Sequence, residues 1–326
     1  MKKFLVGAFA LVSLAMPLQA SAEGITASSE ALLHQMDEAS QNLNYELSYI
    51  LIKKNSIEPL RYRHALENGE PYAHLMYLSG PPREVIQRGN EVSYFEPGID
   101  PFTIESNKMV APLPPVMGTD LKSLAQSYDF ISMGKAREAG VACDVVRIAP
   151  KDGLRYSYLL WIDQKNHLVM RADLLDRDGE PLEQYRVVAF VINSRVQQIL
   201  KQLQTVELPA VVHLPPQQKQ NLDWKVDWLP QGFEAMSGSR HRLMLTERPV
   251  ESKMFSDGLF SFSVYVSSID NYTVREQLVR QGRRTLTSVA MGNKEVTVVG
   301  DIPPSTARRV ADSVVFNATS AQDTTK

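Results

Sequence analysis

The chain has 326 residues, and 35 lysines and arginines against 37 aspartates and glutamates give it a formal net charge of -2 at pH 7. A near-neutral chain lacks the basic excess that nucleic-acid binding requires, which argues against nucleic acid as a partner. The single cysteine excludes an internal disulfide framework, so apolar cores must hold the fold together. The length is typical of two domains.

The N-terminus has the three-part form of a secretory signal peptide. Two lysines precede an apolar run at residues 4–16, and Ala20 and Ala22 supply the small residues of a cleavage site. We therefore expect residues 1–22 to be a signal peptide that is cleaved after Ala22, so that the mature protein is exported. The apolar run is too short to span a bilayer comfortably, which predicts a protein that does not cross the membrane.

The mature chain is expected to begin with one amphipathic helix. Ser28 or Ser29 is the predicted N-cap. Apolar residues then recur at helical spacing at Leu32, Met36, Ala39 and Leu43. The apolar face of this helix requires a packing partner.

Alternating strand patterns occupy most of the next 150 or so residues. Residues 44–95 predict at least five antiparallel strands joined by tight turns. Residues 96–119 are proline-rich and have no sustained period, which favours a flap or lid because proline cannot donate to an interior ladder. A short helix at residues 120–128 and further strands up to residue 192 follow. Together, about nine to eleven strands predict a strongly curved antiparallel sheet wrapped around a helix.

The stretch DLLDRDGE, at residues 173–180, could be a calcium loop or the turn of a hairpin. If Gly179 were the glycine of a calcium loop, Asp176 and Asp178 would fit, but Leu174 and Tyr185 would occupy ligand positions. Aspartate and glycine are common in tight turns, and apolar alternation continues on both sides. The pattern therefore favours a hairpin over a metal site.

The last third of the chain changes character twice. Residues 193–220 are glutamine-rich with several prolines, which indicates an interdomain linker with a short helix. Residues 221–326 have the pattern of a smaller α+β domain. Hairpins are expected around the Asp-Gly pair at 257–258 and the Gly-Asn pair at 292–293, and a closing helix is expected after the prolines at 303–304.

Catalytic signatures are scarce in this sequence. The six histidines have no H-x-H or H-E-x-x-H spacing, and there is no G-x-S-x-G, S-x-x-K or phosphate-binding glycine loop. His64 and His74 are interpreted as satisfied imidazoles on a sheet face, and Cys143 as a buried small hydrophobe. A triad of distant residues stays open on sequence alone. The patterns favour a protein that is not an enzyme and that uses no metal or cofactor.

Two groups of residues in the C-terminal part are candidates for binding a partner. The tryptophans can be core anchors or an exposed protein-binding platform, and they are Trp224 and Trp228. The arginines can form a solvated basic face or a patch that binds carboxylates or phosphates. These arginines are Arg275, Arg280, Arg283 and Arg284.

Several segments together carry a family resemblance. They are LNYELSYI, LRYRHA, REVIQRGNEVSYFEPG, RYSYLLWID, RADLLDRDGEPLEQYRV, WLPQGF, SDGLFSFSV and GDIPPSTARRVADS. In this order they resemble the MucB/RseB family of sigma-E factor negative regulators, over nearly all of the mature chain. The combination is far more specific than any single motif.

The resemblance implies a periplasmic sensor with two domains. Residues 23–192 would be similar to outer-membrane lipoprotein carriers, with an unclosed antiparallel β-barrel enclosing a helix, and residues 221–326 would form the smaller α+β domain. It implies binding to the periplasmic domain of the anti-sigma factor RseA, protection of that partner from site-1 proteolysis, and release by lipopolysaccharide or lipid-like signals. A homo-oligomer is left open.

The inward faces of such a barrel could receive acyl chains, since each buried methylene contributes about 0.8 kcal/mol. The expected lipid contacts are Tyr45, Leu47, Tyr49, Leu51, Leu60, Tyr62, Met76, Leu78, Tyr94, Leu160, Ile162 and Met170. A filled, dry core is the alternative. A periplasmic lipid or lipoprotein carrier without a regulatory partner is the competing function.

Overall fold

The computed structural model describes residues 21–213, 221–242, 249–269 and 276–317. The first sheet has eleven strands: β1 Tyr45–Lys53, β2 Ser56–Glu67, β3 Glu70–Tyr77, β4 Glu84–Arg88, β5 Glu91–Phe95, β6 Phe102–Glu105, β7 Tyr128–Glu138, β8 Val141–Pro150, β9 Ser157–Asp163, β10 Val169–Leu175 and β11 Pro181–Ile192. Helix α1, Ser21–Asn42, precedes the sheet, and the short α2, Leu121–Leu124, precedes β7. The number of strands is within the range that the sequence predicts.

The first sheet is antiparallel and open. Its spatial order is β6-β5-β4-β3-β2-β1-β11-β10-β9-β8-β7, so β6 and β7 are its two edges, and no ladder joins them within the described part of the chain. Strand β1 pairs with β11, and all other neighbouring strands of this sheet are consecutive in the chain. This pairing brings the beginning and the end of the segment to the centre of the sheet.

Helix α1 packs on the first sheet with the predicted apolar face, which also includes Leu33. Leu33 and Met36 are fully buried in the same apolar core as the strands, whereas Leu32 is only partly buried. The helix begins at Ser21, so the predicted N-cap at Ser28 or Ser29 is wrong: Ser29 is buried within the helix. Serine occurs within helices as well as at N-caps, so the serine pair did not identify the first residue of this helix. Residues 1–20 of the predicted signal peptide lie outside the described residues.

The proline-rich segment, predicted as a flap or lid, also contains a strand. It contains the edge strand β6, which has no proline and pairs with β5. The remainder, residues 106–119, crosses the concave side of the sheet, and Val116 is fully buried there. We call residues 106–119 the lid loop.

The DLLDRDGE stretch is the turn between β10 and β11, as predicted. Asp176 accepts hydrogen bonds from the backbone N–H groups of Asp178 and Glu180, at 3.0 Å each. Gly179 has a φ of +87°, a conformation that glycine adopts without strain. We call residues 175–181 the β10–β11 turn.

The predicted linker is partly packed. Its short helix is present as α3, Ser194–Lys201, and a 3₁₀ turn follows at Gln202–Thr205. Val196, Leu200 and Leu203 pack on the outer side of the first sheet against Ala65 and Ile86. Further along, the backbone N–H of residue 212 donates to the backbone oxygen of residue 103 in β6, at 2.7 Å. The first part of the predicted linker is therefore packed on the first sheet.

The C-terminal part contains two smaller sheets. Its elements are β12 Trp224–Val226, β13 Glu234–Arg242, β14 Pro249–Ser256, β15 Ser261–Ser268, β16 Glu276–Gln281, β17 Arg284–Met291, β18 Lys294–Gly300, α4 Pro304–Asp312 and β19 Val314–Phe316. Strands β13 to β18 form a six-stranded antiparallel sheet, and β12 pairs with β19. The predicted hairpins are β14–β15 and β17–β18, and the predicted closing helix is α4.

In the described part of the chain, no helix is long and apolar enough to cross a membrane. The same part contains no group of three or more histidine, cysteine, aspartate or glutamate side chains that could hold a metal ion.

Candidate functional site

The concave side of the first sheet carries two cavities, separated by the lid loop. The first has a volume of about 390 Å³ and lies where the first sheet meets the six-stranded sheet. We call it the junction cavity. The second has a volume of about 680 Å³ and lies between the end of α1, strands β1 and β2, and the lid loop. Both volumes are in the range of small-ligand sites.

The lid loop is fixed by hydrogen bonds to the sheet and to α1. The hydroxyl of Tyr49 donates to the backbone oxygen of Pro112 at 3.2 Å, and the backbone N–H of Val110 donates to the hydroxyl of Tyr94 at 3.1 Å. The backbone N–H of Gly118 donates to Asp37 of α1 at 2.7 Å. Any ligand that enters either cavity therefore contacts or displaces a segment with defined anchors.

Most of the predicted lipid contacts share the concave face, but few of them line a cavity. Leu51 lines the junction cavity, and Tyr45 and Tyr62 line the second cavity. Tyr94 is partly buried and packs against the core. The others lie in the packed interior and are Leu47, Tyr49, Leu60, Leu160, Ile162 and Met170. At those positions the arrangement is that of a filled core.

Met76 and Leu78 were assigned to the wrong face. In the register of β2 and β3, Tyr62 is opposite Leu75 and Leu60 is opposite Tyr77. Directly opposed residues share a face, so the concave side of β3 carries Leu75 and Tyr77. Met76 is only partly buried, and Leu78 is 47% exposed. Apolar residues occur on both faces of β3, and alternation alone could not identify the inner one.

The junction cavity is lined by both apolar and charged side chains. Its apolar lining includes Leu51, Leu113, Tyr158, Leu174 and Tyr185. Its charged lining consists of Lys53, Glu183, Arg283, Arg284 and Asp301. Three of these ten residues are predicted site residues: Leu51 as a lipid contact, and Arg283 and Arg284 as partner contacts. The missed residues come from strands and turns far apart in the chain, and no local pattern marks them.

Two of the predicted partner-binding arginines contact the first sheet instead of standing free. Arg283 lies 3.4 Å from Glu183 of β11 and 2.9 Å from Asp301. Arg280 lies 3.4 Å from Asp176 of the β10–β11 turn. Arg284 is 71% exposed. Arg275 lies outside the described residues.

At the junction cavity, the surroundings raise the pKa values of both Arg283 and Glu183, which favours the charged form of Arg283 and disfavours that of Glu183. Burial raises the pKa of Glu183, although Arg283 and Lys53 act in the opposite direction. Burial alone would lower the pKa of Arg283, but Tyr158, Asp301 and Glu183 outweigh it and raise that pKa. Arg283 is therefore a fixed positive charge, whereas the charge on Glu183 is held against a desolvation cost.

A buried ion pair joins the two parts of the chain next to these contacts. Nη1 of Arg155 lies 3.0 Å from Oδ2 of Asp257, and both side chains are fully buried. The hydroxyl of Tyr128 donates to the same carboxylate oxygen at 2.6 Å. The guanidinium of Arg155 also stacks over the ring of Tyr128 and donates to the backbone oxygen of Ser127. We call Arg155, Asp257 and Tyr128 the buried hub.

The two tryptophans are placed mainly as structural groups. Trp224 is 3% exposed, and its indole N–H donates to Glu251 at 2.8 Å. Trp228 is partly buried, and the guanidinium of Arg309 stacks 3.9 Å from its ring centre. This arrangement agrees with the interpretation of the tryptophans as core anchors.

The remaining candidate groups show no catalytic arrangement. Cys143 is fully buried, and burial raises its pKa to about 11, which keeps it a thiol. His64 is buried with Nδ1 2.9 Å from the backbone oxygen of Leu43, and Nε2 of His74 lies 2.7 Å from Glu84. Both imidazoles are thus satisfied within the sheet, as predicted.

Comparison with known proteins gives a consistent result over the whole chain. The family model for the MucB/RseB N-terminal domain matches residues 28–212, and the model for the MucB/RseB C-terminal domain matches residues 218–315. The sigma-E factor regulatory protein RseB of Salmonella typhimurium is 48% identical, over 95% of this chain and 98% of its own length. RseB of Escherichia coli is also 48% identical, over 90% of this chain and 92% of its own length.

A solved structure has the same fold. In the complex of MucA and MucB from Pseudomonas aeruginosa, the matching chain superimposes with a TM-score of 0.73 at 25% identity. The superposition covers 90% of this chain and 100% of that chain. The similarity of fold therefore extends over most of this chain.

Proposed function

This chain belongs to the MucB/RseB family, and from that membership we propose that it is a periplasmic negative regulator of the sigma-E envelope-stress response, not an enzyme. It binds the periplasmic domain of the anti-sigma factor RseA and protects that domain from site-1 proteolysis. Lipopolysaccharide or a lipid-like signal releases it. The observation that carries this proposal is the 48% identity to a sigma-E factor regulatory protein across both parts of the chain.

The proposed partner has support from the solved complex. A relative with the same fold, MucB, has been crystallised together with MucA. In the present chain, Arg284 is the most exposed of the arginines proposed for partner contact that the structure describes. An exposed guanidinium suits the recognition of a carboxylate on a partner segment.

The proposed response to lipid has support from the cavities on the concave side. The junction cavity is lined by apolar side chains together with three cations and two carboxylates. Acyl chains gain free energy from burial among such apolar side chains, and a phosphorylated headgroup gains it from the cations.

Release of the partner requires linkage between two sites. A lipid weakens binding of the partner only if it favours a state in which the partner binds less well. We propose functional units at residues 23–192 and 221–326, with residues 193–220 as the connection between them. Because residues 194–212 include groups that pack on the first sheet, we assign this part of the connection to the first unit.

The experiment that tests the regulator is calorimetric titration of the mature chain, residues 23–326, with the periplasmic fragment of RseA. We expect saturable binding, and we expect lipopolysaccharide to weaken it, while micelles of an uncharged detergent leave it unchanged. In a parallel assay, the chain should slow cleavage of full-length RseA by the site-1 protease.

A folded chain that does not bind the fragment would reject the regulator and favour the competing function, a lipid or lipoprotein carrier. A carrier moves lipid between membranes, and a regulator does not. Transfer of labelled lipid between two vesicle populations would then be the deciding measurement.

A further inference from the structure

An ion pair between the β10–β11 hairpin and the C-terminal sheet, that of Glu183 with Arg283, forms part of the wall of the junction cavity. Glu183 belongs to β11 of the first sheet, and Arg283 belongs to the turn between β16 and β17 of the six-stranded sheet. Both side chains line the cavity, and so does Asp301, the second partner of Arg283. A group that binds in the cavity therefore meets a guanidinium that pairs across the two sheets.

The charges at this position favour an anionic ligand. Lys53, Arg283 and Arg284 outnumber Glu183 and Asp301 among the charged residues of the lining. Arg283 is two-thirds covered, so its hydrogen bonds are only partly screened by water. A phosphate or carboxylate would compete with Glu183 for Arg283, and burial raises the pKa of Glu183.

We propose that Arg283 is an exchange residue: the anionic headgroup of an amphiphile in the junction cavity takes the place of Glu183 on Arg283. The acyl part of the amphiphile occupies the apolar interior between Leu51, Leu174 and Tyr185. The exchange removes an ion pair that crosses between the sheets. Arg283 is then the residue that senses the ligand in the lipid response, and the exchange therefore rests on the proposed function.

The buried hub determines what kind of movement follows from the exchange. Arg155 and Asp257 lie on opposite sides of the same boundary and are fully covered, so a ligand in the junction cavity does not reach them. Loss of the pair between Arg283 and Glu183 leaves the contact of Arg280 with Asp176 as an ion pair on that side, so that side of the boundary is weakened while the buried hub is unchanged. The two sheets turn about the buried hub and do not separate.

The first test measures the affinity for short amphiphiles in the absence of any partner protein. The probes are dihexanoyl phosphatidate, dihexanoyl glycerol, which lacks only the phosphate, and inorganic phosphate. We expect phosphatidate to bind with the highest affinity. Arg283→Gln should weaken it by about ten-fold, as expected for a lost charge-assisted hydrogen bond. Arg240→Gln is the matched control, because Arg240 also pairs with a glutamate of its own sheet, Glu251, away from the cavity.

The variant Glu183→Gln separates exchange from a structural role. It removes the carboxylate that competes with the ligand, so the affinity for phosphatidate should rise by about three-fold or more. A purely structural ion pair predicts the reverse, because either substitution would then disturb the same contact. Equal losses in Arg283→Gln and Glu183→Gln would overturn the proposal. Binding of inorganic phosphate with the affinity of phosphatidate would overturn the assignment to an amphiphile.

The second test follows the boundary itself. Nη1 of Arg177 in the β10–β11 turn lies 3.0 Å from the hydroxyl of Ser305 in α4. In the full-length variant R177C/S305C, a short bismaleimide should link the two positions, and the yield should fall when phosphatidate is added. The buried Cys143 provides the check that the fold is intact, since it should not react. A yield that phosphatidate leaves unchanged, although phosphatidate binds, would contradict the movement.

The exchange at Arg283 and the proposed regulatory function can be rejected independently of each other. If Arg283→Gln binds phosphatidate normally while lipopolysaccharide still displaces the RseA fragment, the exchange is wrong and the regulator stands. If phosphatidate binding follows the expected pattern and the RseA fragment never binds, the regulator is wrong and the site remains a property of the fold.

Discussion

His64 illustrates how a buried imidazole in this sheet couples stability to pH. Its side chain is 7% exposed, and its ring stacks on Tyr45 with 5.3 Å between the ring centres. Burial lowers the pKa of His64, and the hydrogen bond to Leu43 only partly opposes this effect. The neutral ring is therefore the form that the folded state favours.

We expect this histidine to destabilise the fold as the pH falls. A pKa that is lower in the folded state contributes stability above the pKa of the unfolded state, and this contribution is lost as the pH falls towards the folded value. Urea unfolding at pH values from about 7.5 to about 5.5 should show a smaller loss of stability in His64→Gln than in the wild type. His34→Gln, at an exposed position of α1, should retain the slope of the wild type. Identical slopes for all three would contradict the assignment.

At the scale of elements, α3 shows how a segment with the composition of a linker becomes part of a folded unit. Its apolar residues Val196 and Leu200 lie one turn apart and meet the outer side of β2 and β3. The amide of Gln197 donates to the backbone oxygen of Leu66 at 2.8 Å, and Lys201 pairs with Glu67 at 2.9 Å. A narrow apolar stripe is sufficient because the sheet already supplies the opposing surface.

We predict that Leu200→Ala lowers the free energy of unfolding by about 2 kcal/mol or more, because it leaves a cavity between α3 and the sheet. Urea unfolding monitored by circular dichroism measures this loss. The matched control is Gln198→Ala, which changes an exposed position of the same helix and should have little effect. Equal stability of the two variants would mean that α3 contributes nothing to the first sheet.

At the scale of the whole molecule, the buried hub connects the two parts of the chain. Burial and the Asp257 carboxylate raise the pKa of Tyr128, so its hydroxyl remains a hydrogen-bond donor. Asp257 in turn accepts from the backbone N–H groups of Leu259 and Phe260 at the turn between β14 and β15. Every oxygen of this carboxylate thus has a partner, which is the condition under which a buried charge is tolerated.

We expect Asp257→Ala to be strongly destabilising, by about 3 kcal/mol, because it leaves the Arg155 guanidinium buried beside fewer acceptors. Arg155→Met combined with Asp257→Ala should cost less than the sum of the two single changes. Each single change leaves one buried charged group without its partner, whereas the double change removes both charged groups. The measurement is urea unfolding of the four proteins in this cycle, with Asp129→Ala as an exposed control. Additive effects would show that the two side chains do not act as a unit.

The sequence by itself determined the local structure of this protein and identified the family to which it belongs. The hairpin at DLLDRDGE, the strands between residues 44 and 192, and the closing helix α4 follow from alternation, turn residues and prolines, which act over a few neighbouring positions. The resemblance to the MucB/RseB family also depends only on residues in order, and the comparisons confirmed it.

Only the tertiary structure decided which residues meet. Met76 and Leu78 were misassigned because a strand with apolar residues on both sides does not reveal its inner face, which depends on pairing with β2. The packing of α3, the pairing of Arg283 with Glu183 and the buried hub join positions about 100 residues apart or more. Such contacts arise from the curvature of the sheet and from the order of its strands, and no local period of the sequence encodes either.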